Sequence, residues 1–197
     1  LVAACGGDDT PDSCLPDCAG ERGYDAIAYH LSARFDWVAE RLIASEEIEL
    51  VPTSAVVELD ADVDVTRVHA GDKALPYVND RAAGTLRVDL TAITGDGGHA
   101  VFTVEYGAGL SDALVIGGPR DDDPVRSRVV YTDSEPDRGL RWLVAKHDPS
   151  DRARWSVDLT VATEHDAVAN GERLGDVEVG GERLISYGLD QPIPTYL

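Results

Sequence analysis

From Tyr24 onward, apolar and polar residues alternate at period two over much of the chain. Tyr24 to Ala33 alternates in part, and Ile48 to Thr53 and Ala55 to Asp60 follow. Val63-Asp64-Val65-Thr66-Arg67-Val68-His69 alternates cleanly, as does Thr85 to Leu90. Val101 to Tyr106 and Val129 to Thr132 continue the pattern, then Trp155 to Ala162, Val177 to Val179 and Leu184 to Tyr187. Such alternation turns one set of side chains to a core and the other to water. Turn signals separate the runs: Ala70-Gly71-Asp72, Gly95-Asp96-Gly97-Gly98, Asn170-Gly171 and Gly180-Gly181. Many short strands at this spacing predict an all-β, antiparallel sandwich. One stretch departs from the pattern. Phe35 to Glu47 is rich in Ala and Glu, and positions 35, 38, 42 and 43 would share one helical face. It reads either as a helix or as a strand pair turning around Ala44-Ser45.

The start of the chain has a different texture. Leu1-Val2-Ala3-Ala4-Cys5-Gly6-Gly7 is an apolar end, then small residues, then a cysteine. It resembles the lipobox of bacterial lipoproteins, which implies cleavage before Cys5 and a diacylglyceryl group on its thiol. Residues 6–20 carry Asp8, Asp9, Asp12 and Asp17 and no base, so they cannot bury enough apolar surface to offset their ordering entropy. The expected organisation is therefore a signal-peptide end over 1–5, a disordered acidic linker over 6–20 and a β-domain over 21–197. Cys14 and Cys18 could close a short disulfide loop in an oxidising compartment. A metal pair is the rival, but no second Cys or His pair stands at zinc spacing. These features predict a lipid-anchored protein of the cell envelope, periplasmic or extracellular. No run approaches the roughly 20 apolar residues a membrane-spanning helix needs.

A length of 197 residues suits one domain with a real core. The chain holds 37 acidic and 17 basic residues, a net charge of −20. That surface repels phosphate backbones and argues against a nucleic-acid partner; it suits solubility or a salty medium. Little in the sequence carries chemistry by itself. The five histidines, His30, His69, His99, His147 and His165, include no pair at i, i+4 around a Glu, so the zinc-protease helix signature is absent. No Gly-x-Ser-x-Gly elbow occurs. Asp121-Asp122-Asp123 after Gly117-Gly118-Pro119-Arg120 reads as a solvated loop, with a calcium loop as the weaker alternative.

The informative stretch runs from Val129 to Trp155. It contains Thr132-Asp133-Ser134-Glu135-Pro136, then Arg141-Trp142, then Asp148-Pro149-Ser150 and Arg152-Ala153. This resembles the aminopeptidase N family, where a strand ends in Thr-Gln-x-Glu, followed by an Arg, an aromatic, and an Asp and Pro-Ser before a Lys or Arg and Ala. The resemblance continues in Tyr24 to Leu31, in Glu58-Leu59-Asp60 with Val63 to Val68, and in Val104 to Gly107. Val168-Ala169-Asn170-Gly171 looks like the family's Val-x-Asn-Gly hairpin, and Gln191 to Leu197 like the strand leading out of the domain.

The resemblance implies a curved, saddle-like antiparallel β-sandwich packed beside a thermolysin-like catalytic domain. That partner domain would hold zinc through His-Glu-x-x-His and a distant Glu, none of which lies in these residues. This fragment would then have no metal, cofactor or catalytic residue of its own and no peptidase activity alone. Its implied share of the chemistry is Glu135, which stands where the family binds the α-amine of a peptide substrate. The alternative role for Glu135 is a brace for Arg141. Asp133 replaces the family's Gln: a second carboxylate there could strengthen amine binding but would repel Glu135. Val144 replaces the family's Pro, and Asp148-Pro149 reads as a structural turn. A second reading of the whole is a non-catalytic lipoprotein β-sandwich for binding or scaffolding.

Overall fold

The computed structural model describes residues 22–93, 98–118 and 128–197. Cys5, Cys14, Cys18, the lipobox, the linker and Asp121 to Asp123 all lie outside the described residues. Thirteen strands and one short 3-10 turn, Gly139–Arg141, make up the regular structure among the described residues. The strands are β1 (Tyr24–Asp36), β2 (Arg41–Pro52), β3 (Val56–Asp60), β4 (Asp64–Ala70), β5 (Lys73–Ala74), β6 (Tyr77–Asp80) and β7 (Thr85–Asp89). Then come β8 (Ala100–Gly109), β9 (Leu114–Gly117), β10 (Val129–Thr132), β11 (Ala153–Ala162), β12 (Glu172–Val179) and β13 (Glu182–Ile193). An eight-stranded sheet runs β12-β13-β11-β1-β2-β8-β4-β5, beside a three-stranded sheet β3-β7-β6 and a two-stranded ribbon β10-β9. The all-β expectation holds. Within it, β1 and β11 pair in parallel, the remaining strand pairs being antiparallel.

The ambiguous stretch from Phe35 to Glu47 is a hairpin, not a helix. Leu42, Ala44, Glu46, Ile48 and Leu50 are all buried, every second residue of β2. Period two therefore decides the element, against the helix propensity of its Ala and Glu. The turn lies at 37–40 rather than around Ala44-Ser45, which are paired mid-strand with Ala33 and Ser32. Asp36 places the turn: its Oδ1 accepts the backbone N–H groups of Val38 at 2.9 Å and Ala39 at 3.0 Å. Asp side chains favour such local bonds. A bulge between Ala26 and Ala28 then shifts the inward set of β1 from Tyr24 and Ala26 to Tyr29, Leu31 and Ala33.

Asn170-Gly171 does not form a hairpin; the β12-β13 hairpin turns at Gly180-Gly181. Gly171 has another duty. It adopts φ 94°, and a Cβ there would lie 2.1 Å from the Gly188 carbonyl oxygen. Only glycine permits that approach at the head of β12.

The inward side chains of the large sheet and of β3 and β7 form one core. Phe102, Val104 and Tyr106 of β8 meet Val57, Leu59, Leu86 and Val88 in it. Tyr29 stacks on Trp155 at 4.5 Å between ring centroids, which adds a specific contact to the parallel β1-β11 pair.

A non-regular strap, residues 143–147, is built into this core. Leu143, Val144, Ala145 and Lys146 are all buried. Buried backbone polar groups need partners. Val144 N–H donates to Glu46 Oε2 at 3.0 Å, and Ala145 forms a bridge with Asp60, its carbonyl accepting from Asp60 N–H at 2.9 Å. Lys146 N–H donates to the Tyr29 hydroxyl at 3.1 Å, and His147 N–H to Asp60 Oδ2 at 2.9 Å. Glu46 is fully buried and also accepts from the Tyr106 hydroxyl at 2.8 Å. Burial pushes its pKa from 4.5 to about 8, against the lowering effect of the bonds from Val144 and Tyr106.

That shift has a sign. Between pH 4.5 and about 8 the folded chain keeps a proton on Glu46 that the unfolded chain releases. Stability from this group therefore falls as pH rises through that window. Glu46→Gln keeps an acceptor for both donors and cannot ionise. We expect the variant to melt close to wild type at pH 5 and to be more stable at pH 9 by a few kcal/mol, on the order of the linkage for such a shift. Chemical denaturation at the two pH values checks this; equal stabilities at pH 9 would refute it.

Candidate functional site

The strap leads back along the chain to the turn that carries Glu135. Ribbon β10 ends at Thr132, residues 135–138 form a turn, and Gly139–Arg141 follows as the 3-10 turn. The main chain around Glu135 is tied at several points. Asp133 N–H donates to the Ala113 carbonyl at 2.9 Å, and Arg138 N–H to the Ser134 carbonyl at 2.9 Å. Trp142 Nε1 donates to Ser134 Oγ at 3.1 Å. The Glu135 carbonyl accepts from Arg138 Nε at 2.8 Å. The Glu135 side chain is exposed and makes no hydrogen bond or ion pair among the described residues. The result is a carboxylate free to meet a cation on a backbone that is not free to move.

The other sequence-identified residues fall around it. Asp133, two residues earlier, pairs with Arg138 Nη2 at 2.7 Å. Arg141 is not braced by Glu135; it pairs with Asp112, whose carboxyl this bond holds below the usual range. Asp148-Pro149 is a structural turn, as expected. Asp148 Oδ1 accepts from Ser150 N–H at 2.9 Å and from Ser150 Oγ at 2.8 Å, and these bonds keep its pKa low. Arg138, Asp112 and Glu46 were not indicated by the motif. Their only sequence signals are an Arg close after a misplaced acid and an acid at an inward position of a strand.

Behind the turn, Lys146 and Asp151 form a buried ion pair at 3.2 Å. Burial raises the Asp151 pKa more than the Lys146 charge lowers it. Such a pair costs desolvation, but losing either partner would strand a charge. Beside it, the His147 ring lies 2.9 Å from Thr195 Oγ1 through Nδ1. Desolvation holds its pKa down at about 4, so the ring is neutral at pH 7. Gly139 makes room for it: a Cβ there would lie 2.4 Å from His147 Cε1. His147 thus joins the end of the Glu135 turn to the last residues of the chain.

The remaining histidines are partly exposed. His30 Nδ1 lies 2.7 Å from Ser156 Oγ, His69 Nε2 3.2 Å from Glu105, and His99 Nδ1 2.6 Å from Glu49. His165 packs on Trp37 at 5.5 Å. Among the described residues no group of three His, Cys, Asp or Glu is placed to hold a metal. A surface hollow of about 360 Å³ lined by Ser32, Arg34, Ser45, Glu105 and Thr160 lies on β1, β2, β8 and β11, away from Glu135.

The packing of Gly139 on His147 gives an expected outcome. Gly139→Ala should destabilise the chain by about 1–3 kcal/mol, the usual range for overpacking a filled site. A lowered denaturant midpoint with unchanged slope checks it, and an unchanged midpoint would show that the ring moves aside without cost.

No family model matches the chain, and no curated protein sequence matches it. Solved structures do match its fold. An M1 zinc metallopeptidase from Deinococcus radiodurans superposes with a TM-score of 0.72 at 22% identity, over 90% of this chain and 41% of that one. A two-domain M1 zinc metallopeptidase bound to L-arginine gives 0.72 at 21%, over 90% and 41%. Native yeast LTA4 hydrolase gives 0.72 at 15%, over 88% and 28%. The chain thus spans 41% of the length of these two metallopeptidase structures and 28% of the yeast one. The match falls on their amino-terminal region. This chain has the all-β fold of the amino-terminal domain of M1 zinc metallopeptidases.

Proposed function

We propose that this chain is the amino-terminal β-domain of a zinc metalloaminopeptidase. In that enzyme it supports the catalytic domain and offers the Glu135 carboxylate to the α-ammonium of a peptide substrate. Glu135 itself carries the reading: a carboxylate without a partner among the described residues, on a pinned turn. A charge-assisted bond from an ammonium to such a carboxylate is among the stronger polar contacts. Holding the free amine at one fixed point would also set the register for removing a single residue. The fold neighbours fit this reading, since one is an M1 zinc metallopeptidase bound to a Tyr-Ser-Ala substrate. Zinc would be held by a downstream catalytic domain, which we expect to carry His-Glu-x-x-His beyond Leu197.

The test uses the full-length gene product. Glu135→Gln should raise KM and lower kcat for aminoacyl substrates, reducing kcat/KM by about ten- to hundredfold, the worth of a charged hydrogen bond. Unchanged kinetics would remove Glu135 from the site.

We further propose that the protein is held in the cell envelope by a lipid on Cys5, with Cys14 and Cys18 paired in the tether. The mass of the mature amino terminus decides both, and an unmodified Cys5 would rule out the anchor.

A further inference from the structure

We propose that Arg138 is a positioning residue of this amine site: it neutralises Asp133, which would otherwise compete for the ammonium, and pins the Glu135 main chain. The inference rests on the amine-binding reading of Glu135.

The geometry is that of one guanidinium gripping three residues. Its Nη2 lies 2.7 Å from Asp133 Oδ2. Its Nε donates to the Glu135 carbonyl at 2.8 Å, and its Nη1 to the Asp112 carbonyl at 3.4 Å. The Arg138 backbone N–H closes the same turn onto Ser134. A rigid, many-donor fork suits holding a carboxylate and two carbonyls from different directions at once, while the neutralisation of Asp133 needs only the positive charge.

The physical need is clear from the sequence. Asp133 and Glu135 stand two residues apart, Asp133 just before the turn and Glu135 at its start. Left alone, two carboxylates would attract any cation diffusely and would split the position of an incoming ammonium between them. With Asp133 bound to Arg138, its charge is offset and it no longer competes with Glu135; Asp137, exposed at the far end of the turn, is the other carboxylate there. Arg138 also holds the Glu135 main chain, so neutralisation and positioning come from the same side chain. Arg138 touches no reacting atom in this scheme and acts through its two neighbours.

The test compares substrates with one and two ammonium groups, leucine and lysine p-nitroanilide, in the full-length gene product. The ratio of their KM values is insensitive to general damage to the turn. Arg138→Gln releases Asp133, and we expect the ratio to shift about fivefold in favour of the lysine substrate, the scale of one partly exposed charge pair. Adding Asp133→Asn should return the ratio to wild type, and Arg138→Lys, which keeps the charge, should leave it there. An unchanged ratio in Arg138→Gln overturns the proposal. So does a shift that survives Asp133→Asn, or one that Arg138→Lys reproduces. Failure of the Glu135 reading is separable: Glu135→Gln would then leave both KM values unchanged while the ratio still responded to Arg138→Gln.

Discussion

Four consecutive backbone N–H groups, from Val144 to His147, lie inside a protein core and must find acceptors there. A strand would hand them to a neighbour; this strap hands three of them to side chains and one to a bridge. Glu46 comes from β2, Tyr29 from β1 and Asp60 from β3, so both sheets hold the strap. An unmet buried donor costs about 1–3 kcal/mol, so losing any one acceptor would be felt. The strap in turn fixes Trp142, whose indole holds Ser134, and Ser134 precedes Glu135. A core polar network therefore sets the place of an exposed carboxylate at the domain's surface.

The network also demands particular charge states. Glu46 serves as a neutral acid, because burial outweighs its two donors. His147 serves as a neutral ring, because burial outweighs the attraction of Asp60. The two respond to pH in opposite directions. Stability from His147 is lost as pH falls from 6.5 through about 4, since the unfolded chain takes up a proton that the folded one refuses. Stability from Glu46 is lost as pH rises from 4.5 through about 8. Where the windows overlap, the two slopes offset each other. The turn bearing Glu135 is thus held by groups that favour mildly acidic conditions over alkaline ones.

Much of this architecture was legible in the alternation of side chains, because a strand with one buried face must alternate. What escaped is what alternation does not encode. Ala and Glu between Phe35 and Glu47 suggest a helix by propensity, yet inward Leu42, Ala44, Ile48 and Leu50 make a strand, and Asp36 places its turn by two hydrogen bonds. Asn170-Gly171 looks like a hairpin turn by composition; the glycine is there because the Gly188 carbonyl leaves no space for a side chain. The parallel β1-β11 pair joins residues more than a hundred positions apart and leaves no local mark. At the site, the motif pointed to Glu135 and to the oddity of Asp133. It was silent about Arg138, since which cation a carboxylate meets depends on how the turn folds.

The acidity of the chain sharpens what makes Glu135 distinctive. With 37 acidic residues against 17 basic ones, carboxylates must outnumber available partners. Most arginines among the described residues are already paired, Arg81 with Asp62 and Asp64, Arg173 and Arg183 with Asp166 and Asp176. An unpaired Asp or Glu is therefore ordinary on this surface and identifies nothing by itself. Glu135 differs in its backbone: Ser134 is held on both sides, its own carbonyl is held by Arg138, and the same side chain neutralises Asp133. A surplus carboxylate on a loose loop lowers the potential over a wide area. One on an immobilised turn, with Asp133 offset by Arg138, presents its charge at a fixed place, and recognition of one ammonium group needs that localisation more than it needs charge.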